Sequence, residues 1–195
     1  MSRQIKSKKR VADFGEVYTN EREVNAMLDL IKEEVEKITS TFLEPACGNG
    51  NFLTEILRRK LNSVAKIYGH NADEYKLHMI EAVTSIYGVD IQADNVQESR
   101  KRLLDICCRE YEGSYAEPLS DGTIKALECV MERNIICGNT LTCLADNGKP
   151  LVFSEWKLNE NGMFERKDFL FTDILEDKHE SITAEPIMYD WRAVA

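Results

Sequence analysis

Apolar and polar positions along this chain switch repeatedly between two periods. Over 21–38, Val24, Met27, Leu28, Ile31 and Val35 recur at spacings of three and four. Glu21, Glu23, Asp29, Glu33 and Glu34 take the intervening positions, so the segment predicts an amphipathic helix. Asn20 stands at its N-cap position, with Glu23 three residues on in capping-box spacing. Thr41 to Ala46 predicts a short apolar strand. Asn51 to about Ala65 predicts a helix, with Phe52, Leu53, Ile56, Leu57 and Leu61 on one side. A further helix is expected over 73–84. A second strand follows over 85–91, then a helix from Asn95 to about Tyr111 with Val96, Leu103, Leu104 and Cys107 inward. Residues 112–122 have loop composition, 123–133 predict a helix, and Asn134–Asn139 a third strand. Strands alternating with helices at this pace imply crossover connections and a parallel sheet.

The last quarter of the chain follows another pattern. Residues 151–158 and 163–169 flank Asn159-Glu160-Asn161-Gly162, and Asn161-Gly162 is a strong hairpin signal. Residues 172–195 are acidic and polar and predict no regular element. The chain thus divides into a flexible basic arm over 1–12, an α/β domain over 13–145, and a hairpin with an acidic tail over 146–195.

Composition narrows the class. With 43% hydrophobic and 30% charged residues in 195, one domain with extensions can bury a real core. No run of 18 apolar residues exists, so no membrane span is expected. The polar, basic N-terminus is not followed by an apolar stretch, so a secretory signal is not expected either, and the reading is cytoplasmic. Cys47, Cys107, Cys108, Cys129, Cys137 and Cys143 form no C-x-x-C pair and no zinc spacing, so they read as reduced thiols and no metal is expected. Formal net charge is −9, yet residues 1–10 hold Arg3, Lys6, Lys8, Lys9 and Arg10 and no acid. That arm is either a solvated terminus or a contact for the phosphates of DNA.

The segment from Phe42 to Leu53, with Glu44-Pro45-Ala46-Cys47-Gly48-Asn49-Gly50-Asn51-Phe52 at its centre, carries the most chemical information. It reads as strand, glycine turn and helix. The glycines remove side chains where a ligand must approach the backbone, and the helix start offers free N–H groups. Glu44 disfavours a phosphate there. It suits a ligand with an amine or hydroxyls beside a carboxylate, such as S-adenosylmethionine. The third glycine of a dinucleotide fingerprint is absent, because Phe52-Leu53 stands where it would fall, and this disfavours a nicotinamide oxidoreductase. The run Glu-Pro-Ala-Cys-Gly-x-Gly-x-Phe closely resembles the cofactor motif of S-adenosylmethionine-dependent DNA adenine-N6 methyltransferases of restriction–modification systems.

Three further segments occur in the order of that family. Gly15-Glu16-Val17-Tyr18-Thr19-Asn20 resembles its Gly-x-Phe-Tyr-Thr-Pro segment, with Val17 for the aromatic and Asn20 for the proline. The resemblance places Tyr18 and Thr19 at the methionine end of the cofactor. Asp90, closing the second strand, can accept the hydroxyls of a ribose. Ile91 can pack on adenine. Gly138-Asn139 stands where the family often has Gly-Asp, which implies Asn139 as acceptor for the adenine amino group. The cofactor set is therefore Tyr18, Thr19, Glu44, Pro45, Ala46, Gly48, Gly50, Phe52, Asp90, Ile91 and Asn139. The implied fold is an incomplete Rossmann-like class I methyltransferase sheet, with an N-terminal helix over the site and a C-terminal β-hairpin.

The family's catalytic loop, Asn, Asp or Ser followed by Pro-Pro and an aromatic, does not occur: the four prolines are Pro45, Pro118, Pro150 and Pro186. No catalytic residue is therefore assigned, and the family's downstream strands are not expected within these 195 residues. Three explanations stay open: a second restriction–modification subunit supplying the base-binding half, a catalytically inactive cofactor-binding or DNA-associated module, or an unfamiliar site in the tail. For the last, Glu155, Trp156 and Asp168 are candidates, although a solvated hairpin with one core Trp fits them better.

Overall fold

The computed structural model describes residues 6–14, 16–178 and 180–191; Arg3 and Gly15 lie outside them. The elements run α1 (Lys8–Phe14), α2 (Glu21–Asp29), α3 (Lys32–Glu36), β1 (Phe42–Glu44), α4 (Asn51–Tyr68), α5 (Ala72–Thr84), β2 (Ile86–Asp90), α6 (Ala93–Tyr115) and α7 (Asp121–Asn134). They continue with β3 (Ile135–Asn139), β4 (Leu144–Ala145), β5 (Val152–Leu158), β6 (Phe164–Leu170), α8 (Phe171–Leu175) and β7 (Ile187–Tyr189). The fold is mixed α/β. One sheet has the order β1-β2-β3-β4, with β1, β2 and β3 parallel and β4 antiparallel to β3. A second, antiparallel sheet has the order β5-β6-β7.

Each face of the first sheet is covered differently. Ile86 and Ile135 pack into the main core with Leu53, Leu57, Leu103, Leu127 and Val130 from α4, α6 and α7. Side chains that alternate with them, Tyr87, Val89 and Ile136, meet Phe153 and Phe171 from the second sheet and α8. The Tyr87 hydroxyl donates to the Ser154 carbonyl at 2.7 Å and joins the two sheets. At the far end of the hairpin, Trp156 Nε1 donates to Asn134 Oδ1 at 3.0 Å, while the fully buried Asn134 donates to the carbonyls of Thr84 and Ile86. No helix among the described residues is long and apolar enough to cross a membrane.

Several elements depart from the expected pattern. The expected 21–38 helix is two helices, broken at Leu30 and Ile31, so that both pieces lie on α4. Val35 turns inward and Ile31 outward as a result, at 0% and 45% exposure. Helix α6 runs to Tyr115, past the predicted end, because Tyr111 and Tyr115 pack against Tyr75 of α5; Ala116 then stops it in the left-handed region. The tail expected to lack regular structure contributes α8 and β7, the latter held by pairing with β6. From Lys6 onward the expected flexible arm is an anchored segment containing α1, held by the ion pairs of Lys6 and Arg10.

Lys60 in α4 is fully buried, and its ammonium donates to the carbonyls of Lys37, Ile38 and Ser40 at 2.8, 2.9 and 2.6 Å. As an ammonium its three donors meet three acceptors, and as a neutral amine it keeps two of them, which fixes the chain entering β1 without an ion pair. Burial pulls the Lys60 pKa down to about 7, with Glu81 acting the other way. The unfolded chain keeps that proton to the ordinary lysine value of 10.5, so between these values folding releases a proton and rising pH favours the folded state. Lys60→Met should cost about 2 kcal/mol or more by urea denaturation, because the carbonyls lose their donor. The gap between wild type and variant should widen from pH 7 towards pH 10; a gap independent of pH contradicts the depressed value.

Candidate functional site

The carboxyl ends of β1, β2 and β3 open into a cavity of about 500 Å³. Tyr18, Thr19, Glu44, Pro45, Ala46, Gly48, Phe52, Asp90, Ile91 and Asn139 all line it. Ten of the eleven residues expected from sequence are thereby brought together across more than a hundred positions of chain. Gly50 is the exception. It has φ +86°, and a side chain there would collide with Ser99 Oγ and come within 3.1 Å of Ser99 Cβ. Its missing side chain lets the turn pack on α6 rather than letting a ligand approach. Gly48 (φ +52°) lines the cavity, and a Cβ on it would press on the Tyr18 ring at 3.2 Å.

Asp90 holds the centre. Its Oδ2 accepts from Gly48 N at 2.9 Å, and its Oδ1 accepts from Gln92 N at 2.8 Å and Asn95 Nδ2 at 3.1 Å. The strand end, the glycine turn and the start of α6 therefore share one carboxylate. Oδ1 is fully engaged, so only Oδ2 keeps a free lone pair, enough for one hydroxyl rather than two. The Asn139 Oδ1 accepts from Leu141 N at 2.9 Å and closes its own turn, which reduces its capacity as an acceptor for a ligand. Ile91 is 49% exposed at the rim.

Carboxylates set the field of the cavity. Glu16, Glu44 and Asp90 line it, and among the described residues no Lys, Arg or His does. Burial raises the Glu44 pKa, against the N–H of Ala46. The Cys47 thiol is pushed well above its ordinary value by burial, with Asp90 and Glu44 adding to the effect, so it stays a neutral wall group. Helix α4 starts at the cavity with Asn51, whose Nδ2 donates to the Thr19 carbonyl at 2.8 Å. Arg102 braces this start from behind, donating to Asn49 O at 2.6 Å and Asn51 Oδ1 at 2.8 Å.

The N-terminal segment forms one wall. Lys6 Nζ lies 3.0 Å from Asp94 and 2.9 Å from Glu98. Arg10 Nη1 is 2.6 Å from Asp94, and Arg10 Nε donates to Glu16 Oε2 at 2.7 Å. The bond from Arg10, with that from Lys6, holds the Asp94 pKa down at about 2. Burial opposes the charge on Lys6, but its bonds to Glu98 and Asp94 outweigh this and raise its pKa to about 12. Lys6 and Arg10 are thus engaged within the chain, and only Lys8 and Lys9 of the described basic arm stay exposed on α1. Tyr18, 9% exposed, donates its hydroxyl to Asn95 Oδ1 at 2.9 Å; burial first, then the neighbouring Glu16, raises its pKa to about 12.

Sequence reading missed Glu16, Gln92, Asn95, Thr140 and Leu141. Glu16 lay inside a quoted motif, and its pairing with a basic residue upstream was the available signal. Leu141, 93% exposed at the rim, had none. The tail candidates stand apart from the cavity. Asp168 accepts from Ser154 and Arg166, Trp156 packs on Tyr189 and Trp191, and Glu155 is exposed. No group of three or more His, Cys, Asp or Glu that could hold a metal occurs among the described residues. Comparison with protein-family models, curated proteins and solved structures finds no match to the chain.

Gly50→Ala should cost about 2–3 kcal/mol in chemical denaturation, combining left-handed strain with the Ser99 collision. In a Ser99→Gly background the same change should cost only the strain, about 1 kcal/mol. Equal costs in both backgrounds rule out the packing role.

Proposed function

We propose that the cavity binds S-adenosylmethionine and that the chain is the cofactor-binding module of a DNA adenine-N6 methyltransferase of restriction–modification type, on a Rossmann-like class I methyltransferase sheet. One observation carries the reading: a cavity at the carboxyl ends of parallel strands, beside a helix start, lined by Glu16, Glu44 and Asp90 and, among the described residues, by no cationic side chain, with Glu16 alone of the three paired to a base, Arg10. Phosphates of a dinucleotide or of ATP meet repulsion there. A ligand with a sulfonium and an ammonium group meets attraction.

The residues present fit such a ligand. Asp90 Oδ2 can accept a ribose hydroxyl, and Ile91 offers an apolar face for adenine. Tyr18, Thr19 and the start of α4 form the wall suited to the methionine end, where N–H groups favour its carboxylate. Glu44 and Glu16 supply negative potential for the cationic groups. When bound, the cofactor supplies an electrophilic methyl group; this chain's own part is to bind and orient it.

Catalysis is assigned to a second polypeptide that brings the base-binding half. The open edge of β1 supports this. Among the described residues β1 pairs with β2 alone, and Phe42 N donates to Ser85 O, so Phe42 and Glu44 face β2 while the mid-strand Leu43 turns its N–H and C=O outward. Leu43 is also 41% exposed. Lys8 and Lys9 remain for contact with DNA phosphates. The second reading, a catalytically inactive cofactor-binding or DNA-associated module, is favoured by the absent Pro-Pro loop.

Calorimetric titration of the purified chain tests the reading. S-adenosylmethionine should bind with micromolar affinity, as about −8 kcal/mol implies. The thioether left after methyl loss should bind more weakly, and NAD and ATP not at all. Asp90→Ala should weaken binding by about tenfold or more. Absence of binding by wild type, or preference for a phosphate-bearing nucleotide, refutes the proposal. Methyl transfer to DNA adenine only when a second polypeptide is added separates the first reading from the second.

A further inference from the structure

Asn95 is 1% exposed, and every hydrogen-bonding position of its amide is filled by a different part of the molecule. Its Oδ1 accepts from Lys6 Nζ at 2.9 Å and from the Tyr18 hydroxyl at 2.9 Å. Its Nδ2 donates to Asp90 Oδ1 at 3.1 Å and to Glu16 Oε2 at 3.3 Å. Two donors above and two carboxylates below is a pattern that only an amide satisfies. A carboxylate has no donor for Asp90 and Glu16, and an apolar side chain takes one partner from each of the four groups.

We propose that Asn95 is the positioning residue of the cavity: its amide occupies Asp90 Oδ1, leaves Oδ2 as the oxygen open to a ligand hydroxyl, and locks this choice to the N-terminal segment. The inference rests on the adenosyl-ligand reading above. Without the amide, Asp90 is held by the backbone N–H groups of Gly48 and Gln92 alone, and Oδ1 has room for a ligand hydroxyl as well. Glu16 keeps Arg10 but loses its link to Asp90, and Tyr18 and Lys6 lose their common acceptor. The N-terminal wall and the carboxylate at the cavity centre thereby become independent of each other.

Replacement by aspartate gives a discriminating test, because it keeps the shape and exchanges two donors for a titratable acceptor. The groups facing the position are Lys6 and Tyr18 on one side and Asp90 and Glu16 on the other, with Arg10, Asp94 and Glu98 next in line. In Asn95→Asp the new carboxylate sits against two others, so Asp90 is pushed away at high pH. As pH falls, one proton is taken up and shared among the three, and the single O–H restores one of the amide's two donations, the one that removes the repulsion at Asp90.

The experiment is calorimetric titration of wild type, Asn95→Asp and Asn95→Ala with S-adenosylmethionine at about pH 6 and about pH 8, with thermal melts to confirm folding. At the higher pH both variants should bind about tenfold or more weakly than wild type. At the lower pH Asn95→Asp should return to within about threefold of wild type, while Asn95→Ala should not recover. Folded variants that bind like wild type, or an Asn95→Asp protein whose deficit does not change with pH, overturn the inference and leave the ligand reading intact. No binding by wild type overturns both.

Discussion

A parallel sheet cannot leave either face in water, and this constraint shapes the whole molecule. Three short strands, the first of three residues, must be reached by crossovers, so α4 with α5 and α6 with α7 take one face. The other face needs a cover that crossovers of this run do not supply. The chain provides it with the antiparallel β5-β6-β7 sheet, whose Phe153 and α8's Phe171 close over Tyr87 and Val89. With both faces filled, the polar business of the sheet is confined to its carboxyl ends, where the cavity lies.

Electrostatics at those ends follows a clear division. Of the acids that line the cavity, Glu44 and Asp90 have no basic partner among the described residues, whereas Glu16 pairs with Arg10. Arg102 braces the glycine turn from outside, and Lys6 and Arg10 attach to Asp94 and Glu98 on the outer surface of α6. An N-terminal run of positive charge that suggests an external anionic partner thus has an internal use for two of its members. The same ion pairs hold the segment bearing Tyr18 and Thr19 against the rest of the wall.

Local signals made much of this legible. The Glu44–Phe52 turn, the acid at the end of β2 and the period of each helix are written in consecutive residues, and ten expected residues do meet at one cavity. What was not legible depends on contacts distant in sequence. Helix α2 breaks before α3 because both must lie on α4, which the spacing of Val24, Leu28 and Val35 does not reveal. The strand β7 exists only through its pairing with β6. Asn95 looked like an ordinary residue near a helix start, since its four partners lie at positions 6, 16, 18 and 90. Gly50 was read as an approach for ligand and serves the packing of α6, a distinction that needs the position of Ser99.

The brevity of β1 has a consequence for how the free chain behaves. An edge strand is a template for unwanted growth of sheet from one molecule to the next, and long, flat, apolar edges are hazardous. Here only Leu43 directs its backbone outward; Pro45, two positions on, has no N–H, and its carbonyl already accepts from the Thr140 hydroxyl at 3.3 Å. One donor and one acceptor are too few to seed a ladder of identical copies. The edge therefore resists fibril formation, while a strand delivered with its own apolar cover for Leu43 could still be accepted there.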